Sequence, residues 1–397
     1  MTVVGPAEGH LASGLRGWGR MVEPLELLGH IAAALGRRGD LASRRIVVSA
    51  GGTQEAIDPV PPTRQIARNL LVNRDLELRD GTKVPMWLFE DPDDDTESGT
   101  TLPGKTVRTV EGDIVHARVG AKTNTHTIHW HGIEPTSMND GVGKHSFEIS
   151  GNFVYQFATN QAGTFLYHCH KNTGLHFEMG LYGAVIVDPK KPDIPEAHGV
   201  PDPPYPAGGP GFVRAFNPPS HVVRYDVEAL WVPDDIDTRW HELGHNAFMQ
   251  KCDPDNPIAA ENFTKDGILN DFRPDVFVLN GEARRQEDET PFEKAAIYAR
   301  VGQTILVRYI DATYTINEIR VGLPAQLIAE DGYPFGVPPR GQYSHPMDLE
   351  PGEPVRVTAA MRGDVLIRPT KPGKFGDGRK TRPSSLPLAG QSEAPIG

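Results

Sequence analysis

Histidine and cysteine crowd into one stretch of this chain. Seven of its fifteen histidines fall between positions 126 and 176. They surround Thr125-His126-Thr127-Ile128-His129-Trp130-His131-Gly132, then Tyr167-His168-Cys169-His170, then His176-Phe177-Glu178-Met179-Gly180-Leu181. On an extended strand, residues two apart project from the same face. His129 then shares a face with His131, and His168 with His170, while Cys169 points the opposite way. A soft thiolate with imidazoles on one side and further imidazoles on the other suits copper. Zinc more often takes several cysteines or a carboxylate. A lone histidine would be read as packing, but two tandem His-x-His pairs around a cysteine point to metal.

These motifs carry a family resemblance over about residues 61–370. His126-x-x-His129-x-His131-Gly132 and His168-Cys169-His170…His176-x-x-x-Gly180-Leu181 resemble the copper motifs of multicopper oxidases, laccase-related proteins of cupredoxin-fold domains. Thr127 stands in place of a proline, and two extra residues precede His176. The resemblance implies that His126, Cys169 and His176 hold type 1 copper, with Leu181 in the axial position as a non-ligating residue. Met179 is the nearest thioether if the insertion shifts the register. An axial leucine implies a trigonal site of raised reduction potential. His129, His131, His168 and His170 become type 2 and type 3 copper ligands by the same resemblance. Asp140, in Asn139-Asp140-Gly141, becomes a proton relay. The implied reaction takes electrons from a small-molecule or metal-ion donor through Cys169 to dioxygen. Two other readings stay open. Copper nitrite reductase shares the His126/His131 spacing and the His168-Cys169 pair, and a blue-copper carrier or copper-holding protein needs only the cysteine centre.

The elements that must position these residues read as short strands with turn signals between them: Ile114–Val119, Phe153–Phe157, Thr164–Tyr167 and Tyr182–Val187. The fold class expected is all-β, two cupredoxin-like Greek-key β-sandwiches with an N-terminal extension and a disordered C-terminal tail. The divisions expected are an extension over 1–60, the copper-binding domain over 61–188, a Pro-rich linker over 189–221, a second cupredoxin-like domain over 222–370 and a tail over 371–397. Ten prolines within residues 189–219 mark the linker. Glu111–Val119 recurs 190 residues later as Val301–Tyr309, which suggests two copies of one domain. At that offset His126, His129 and His131 become Ile316, Ile319 and Val321, so the second copy predicts a packed core without copper. It also reads as lacking its final strand, which would leave an unpaired edge. The family's trinuclear cluster takes eight histidines and this domain offers four. A homo-oligomer is therefore expected, since a two-fold axis doubles a half-site.

Composition narrows the function further. The 397 residues carry 40 Lys and Arg against 52 Asp and Glu, a net charge of −12, which argues against nucleic-acid binding. No run approaches the roughly 18 apolar residues of a membrane span. No signal peptide is visible at Met1–Glu8, although the resemblance suggests an exported protein. Two cysteines, Cys169 and Cys252, exclude a disulfide scaffold. His241-Glu242-Leu243-Gly244-His245 fits the zinc-protease pattern H-E-x-x-H, yet the prolines around it leave room for about four helical turns at most, and Lys251 stands where that pattern's longer form would continue with histidine. Residues about 14–60 resemble a fragment of the bifunctional phosphopantothenoylcysteine decarboxylase/ligase, through Gly19–Pro24 and Arg45–Pro59. That fragment is too short to build a nucleotide site and reads as a non-functional appendage.

Overall fold

A computed structural model of the chain describes residues 7–10, 16–20, 63–96, 99–142, 148–249, 272–285, 287–288, 290–339, 341, 343–373, 385–386 and 389–395. They fall into two units, 1–62 and 63–397. In the first, β1 (Ala7–His10) and β2 (Arg16–Arg20) form an antiparallel hairpin. The stretches 22–35 and 45–50, whose sequence reads as a helix and a strand, lie outside the described residues.

The second unit begins with a two-sheet sandwich. In one sheet, β3 (Thr63–Glu77) lies between β4 (Lys83–Glu90) and β6 (Ile114–His126), with β8 (Ile149–Ala158) outside β6. The other sheet runs in the order β5 (Gly104–Val110), β10 (Tyr182–Asp188), β9 (Gly163–His168) and β7 (His129–His131). The two-residue period decides what each face touches. On β9, Phe165 and Tyr167 join a core with Trp87, Trp130, Val185 and Cys169, while Leu166 joins a second core with Tyr182, Val232 and Ile310. β10 is buried along its whole length because apolar layers cover both of its faces.

Beyond it, the proline-rich stretch packs Ala197, Val200, Tyr205, Phe212 and Val222 into a small core, and β11 (Gly211–Arg214) pairs with β12 (Val222–Tyr225). A second set of sheets follows. β13 (Val227–Trp231) leads into β14 (Pro233–Ile236), which pairs with β15 (Val276–Leu279), itself joined to β16 (Glu282–Arg285). β17 (Ile305–Ile310) sits between β13 and the later β23 (Arg362–Ile367). β18 (Ile316–Arg320) pairs with β22 (Pro354–Val357). β19 (Ala325–Glu330) pairs with β23, β20 (Tyr333–Pro334) and β21 (Met347–Leu349). Three α-helices interrupt the described strands: α1 (Ser137–Asp140), α2 (Thr173–Glu178) and α3 (Thr238–Met249). None is long and apolar enough to cross a membrane.

Two expectations need correction. The tail is not all disordered: β24 (Ser385–Leu386) and β25 (Ala389–Pro395) are strands, and β25 runs parallel to β18. The exposed N–H and C=O row of β18 is what recruits it, because an open edge accepts any extended segment within reach. Of the aliphatics that replace the histidines, Ile319 and Val321 are core residues, but Ile316 is 42% exposed at the start of β18.

Candidate metal centres

Two clusters of ligating side chains form in the first sandwich. His126 ends β6, and Cys169 follows directly on β9. Nδ1 of His126 lies 3.6 Å and Nδ1 of His176 3.2 Å from the Cys169 sulfur. Bonds of about 2.0 Å to nitrogen and 2.3 Å to sulfur set such atoms roughly 3.5–3.7 Å apart, so one ion fits among the three with little movement. The two residues inserted before His176 are absorbed by α2, which opens at Asn172 in the left-handed region and carries His176. The loop is then closed by backbone. Cys169 N–H donates to Leu181 O at 3.0 Å and Leu181 N–H donates to His176 O at 3.1 Å. Leu181 is fully buried in the core that holds Cys169. Met179 is also buried, but its sulfur faces α3, where a Cβ on Gly244 would meet it at 3.4 Å.

Burial sets the chemistry of this cluster. It pushes the Cys169 thiol up to about 11, with backbone hydrogen bonds from Thr127 and Lys171 acting the other way. Burial, then the neighbouring His126, pushes His176 down to about 3. A buried thiol with neutral imidazoles attracts a soft cation that can displace the thiol proton. The donor set of one thiolate and two imidazoles fits copper.

The second cluster lies on the other side of Cys169. β7 pairs with β9 so that His129 stands opposite His168, and Trp130, between the two histidines of β7, turns into the core. His129, His131 and His168 offer nitrogens within 4.8 Å of one another. Nδ1 of His131 is 3.3 Å from Nε2 of His168. The Nδ1–H of His168 donates to Cys169 O at 3.0 Å, which leaves Nε2 as the free lone pair. His129 is fixed in the same way, its Nδ1–H donating to Asp140 O at 2.8 Å with the Asp140 carboxylate 3.3 Å away. His170 stands at the edge of the group, its ring 5.4 Å from that of His129 and 5.7 Å from that of His168. Burial lowers His129 and takes His168 well below the ordinary imidazole range. Burial, then the charge of Arg362, holds His131 near about 3.

Spacing in the sequence misses what faces these histidines. Asp331, Tyr333 and Arg362, from the second set of sheets, border a cleft of about 480 Å³ with His129, His131 and Asp140. No motif signals them. Trp87 meets His176 edge-on at 5.5 Å, again from a distant strand. The H-E-x-x-H segment is helical: α3 spans it, within the room that the flanking prolines leave. His241 nonetheless serves packing: it is buried, its Nδ1–H donates to Pro85 O at 2.7 Å, and its Nε2 lies 3.3 Å from Glu178.

Comparison with known proteins agrees with the donor sets. Residues 96–192 match the multicopper oxidase family Cu-oxidase_3. That stretch contains every residue of both ligand clusters. Copper resistance protein A of Pseudomonas syringae pv. tomato is 28% identical over 284 residues, 68% of this chain and 42% of that protein. L-ascorbate oxidase of Cucumis sativus is 39% identical over 95 residues, 22% of this chain and 16% of that one. The chain thus spans about two-fifths of the length of the copper resistance protein it matches. Among solved structures, the blue copper oxidase of Nitrosomonas europaea aligns with a TM-score of 0.53 at 22% identity, covering 78% of this chain and 77% of that one. That likeness establishes the cupredoxin-type fold. The relatives lend no support to the decarboxylase/ligase likeness of residues about 14–60.

Proposed function

We propose that the chain is a copper-dependent oxidoreductase of the multicopper oxidase type, taking electrons from a small-molecule or metal-ion donor and passing them to dioxygen. The observation that carries this reading is adjacency. Cys169 belongs to one cluster and the next residue back, His168, belongs to the other. Copper in both clusters supplies one-electron redox chemistry. The protein supplies position. The Cys169 sulfur is sealed from water, while His176 is the less buried imidazole of its cluster and offers the donor its point of approach. The Cys169–His168 peptide links the clusters through bonds. Asp140 holds the His129 ring and keeps a carboxylate beside the open cleft, where it can hold a proton destined for reduced oxygen. We assign His126, Cys169 and His176 as ligands of one copper, with Leu181 as its non-ligating axial neighbour, and His129, His131, His168 and His170 as ligands at the second cluster. The remaining ligands of a full trinuclear site would come from outside this sandwich: a second copy of the chain could supply them across a two-fold axis, and without it the cluster is a half-site open to solvent that takes type 2 copper or none.

Counting copper after reconstitution, with absorption and electron paramagnetic resonance spectra, tests the reading. More than two coppers per chain, with oxygen uptake in the presence of a donor, is the expected result. Two would favour a nitrite reductase-like enzyme, and one an electron carrier.

A further inference from the structure

Arg362 is placed with unusual care for a residue outside the motifs. Asp331-Gly332 forms the turn between β19 and β20, with φ of 51° and 81°, the left-handed pair that such tight hairpin turns require. This turn is stitched to the start of β23: Asp331 N–H donates to Arg362 O at 2.8 Å, and Arg362 N–H donates to Asp331 Oδ1 at 3.1 Å. The guanidinium donates to Ala360 O at 2.7 Å and to Asp331 O at 3.0 Å, and pairs with the Asp331 carboxylate at 3.1 Å. Its Nε is buried and bonded to nothing among the described residues. Its Nη2 lies against the histidine strand: a Cβ on Gly132, the residue after His131, would come within 2.6 Å of it. Gly132 has φ of 87° and no side chain, and that is what lets the charge come so near.

We propose that Arg362, reaching over from the second set of sheets, is a positioning residue that steadies a small inorganic anion held at the metal of the histidine cluster, in the cleft it shares with His131. This rests on the copper reading of that cluster. Three neutral imidazoles leave a divalent ion its full charge, and a guanidinium that still has unused N–H donors adds to it. An anion gains from both, whereas an uncharged ligand gains from the metal alone. The acidic groups at the cleft do not cancel this. Asp331 is paired with Arg362, Asp140 is turned to His129, and Glu134 is exposed at the rim.

The test is titration of the copper-loaded full chain with azide, followed by its charge-transfer absorption, with imidazole as the uncharged probe. Arg362→Gln should weaken azide binding about tenfold or more and leave imidazole binding unchanged, while Arg362→Lys should recover part of the loss. Asp331→Asn keeps the oxygen that accepts the Arg362 N–H but removes the competing charge, and should tighten azide binding. Equal azide affinity in all four proteins, with copper retained, would overturn the proposal. So would a parallel loss of azide and imidazole, the mark of a merely structural role. Copper found only at the Cys169 centre would instead overturn the reading on which the proposal rests.

Discussion

At the scale of single residues, the proposed chemistry depends on a thiol that water cannot reach. Cys169 holds its proton up to about 11 when no metal is present, so loading the centre must expel that proton. Copper affinity at this site should therefore fall as the medium becomes more acid. Cys169→Ser keeps the size and removes the soft donor. It should abolish the intense sulfur-to-copper absorption and all donor oxidation while leaving the circular dichroism of the β-sheets intact. A surviving blue band would show that the ligand is elsewhere. Much of this site was legible in the spacing of His129, His131, His168 and His170, because the two-residue strand period converts spacing directly into a shared face. Arg362 was not legible. Its approach to Gly132 depends on how two sheets pack some 230 residues apart in sequence, a relation that no local period encodes.

Among the elements, turns place the ligands that strands carry. Gly141 ends α1 with φ of 72°, and a Cβ there would overlap the carbonyl oxygen of Ile128, the residue before β7. Gly141→Ala should push Asp140 off the His129 ring. The expected signs are a perturbed spectrum at the histidine cluster, an unchanged Cys169 band, and a loss of about 1–3 kcal/mol for the strained backbone. A crystal structure of the variant with the 2.8 Å His129–Asp140 bond intact would refute this. The end of β17 supplies a different kind of test. Burial pushes Asp311 from 3.8 up to about 7, so folding takes up a proton between those values. The folded state then binds more protons than the unfolded one, and this group's contribution to stability falls as the pH rises through that window. Asp311→Asn keeps an oxygen for the Thr313 N–H and hydroxyl, which bond to it at 3.0 and 2.8 Å. Its melting midpoint should gain on the parent's as the pH is raised from about 4 to about 7, whereas parallel melting curves would count against the shift. Strands were readable as elements because β-branched and aromatic runs alternate with turn residues. β25 was missed because its edge partner, β18, attracts backbone rather than any particular side chain.

The whole molecule is held together by charge as well as by apolar packing. Arg308 on β17 is 1% exposed. Its Nε pairs with Glu228 at 2.7 Å and its Nη1 donates to the Thr164 hydroxyl of β9 at 3.0 Å. Arg108 on β5 bridges Asp188 at 2.8 Å and the same Glu228 at 2.6 Å. The arrangement crosses from the sandwich that holds the histidine and cysteine clusters to the second set of sheets and back. Arg308 Nη1 also lies 3.4 Å from the buried Asp364 carboxylate. Arg308→Ala would leave Asp364 in the interior without its cation and Glu228 to Arg108 alone, and should cost about 3–5 kcal/mol, read as a lower urea midpoint; a midpoint within error of the parent's would mean that the charges reorganise freely. These charges tie the first sandwich to the second set of sheets, so the two are not interchangeable cassettes. A chimera that borrowed one half from a relative could keep each apolar core intact and still fail at the seam. Unless that relative supplied counterparts of Arg108, Asp188 and Thr164, Glu228 and Arg308 would have nothing across the seam to meet them. An exchange that carried all five positions together would keep the seam closed.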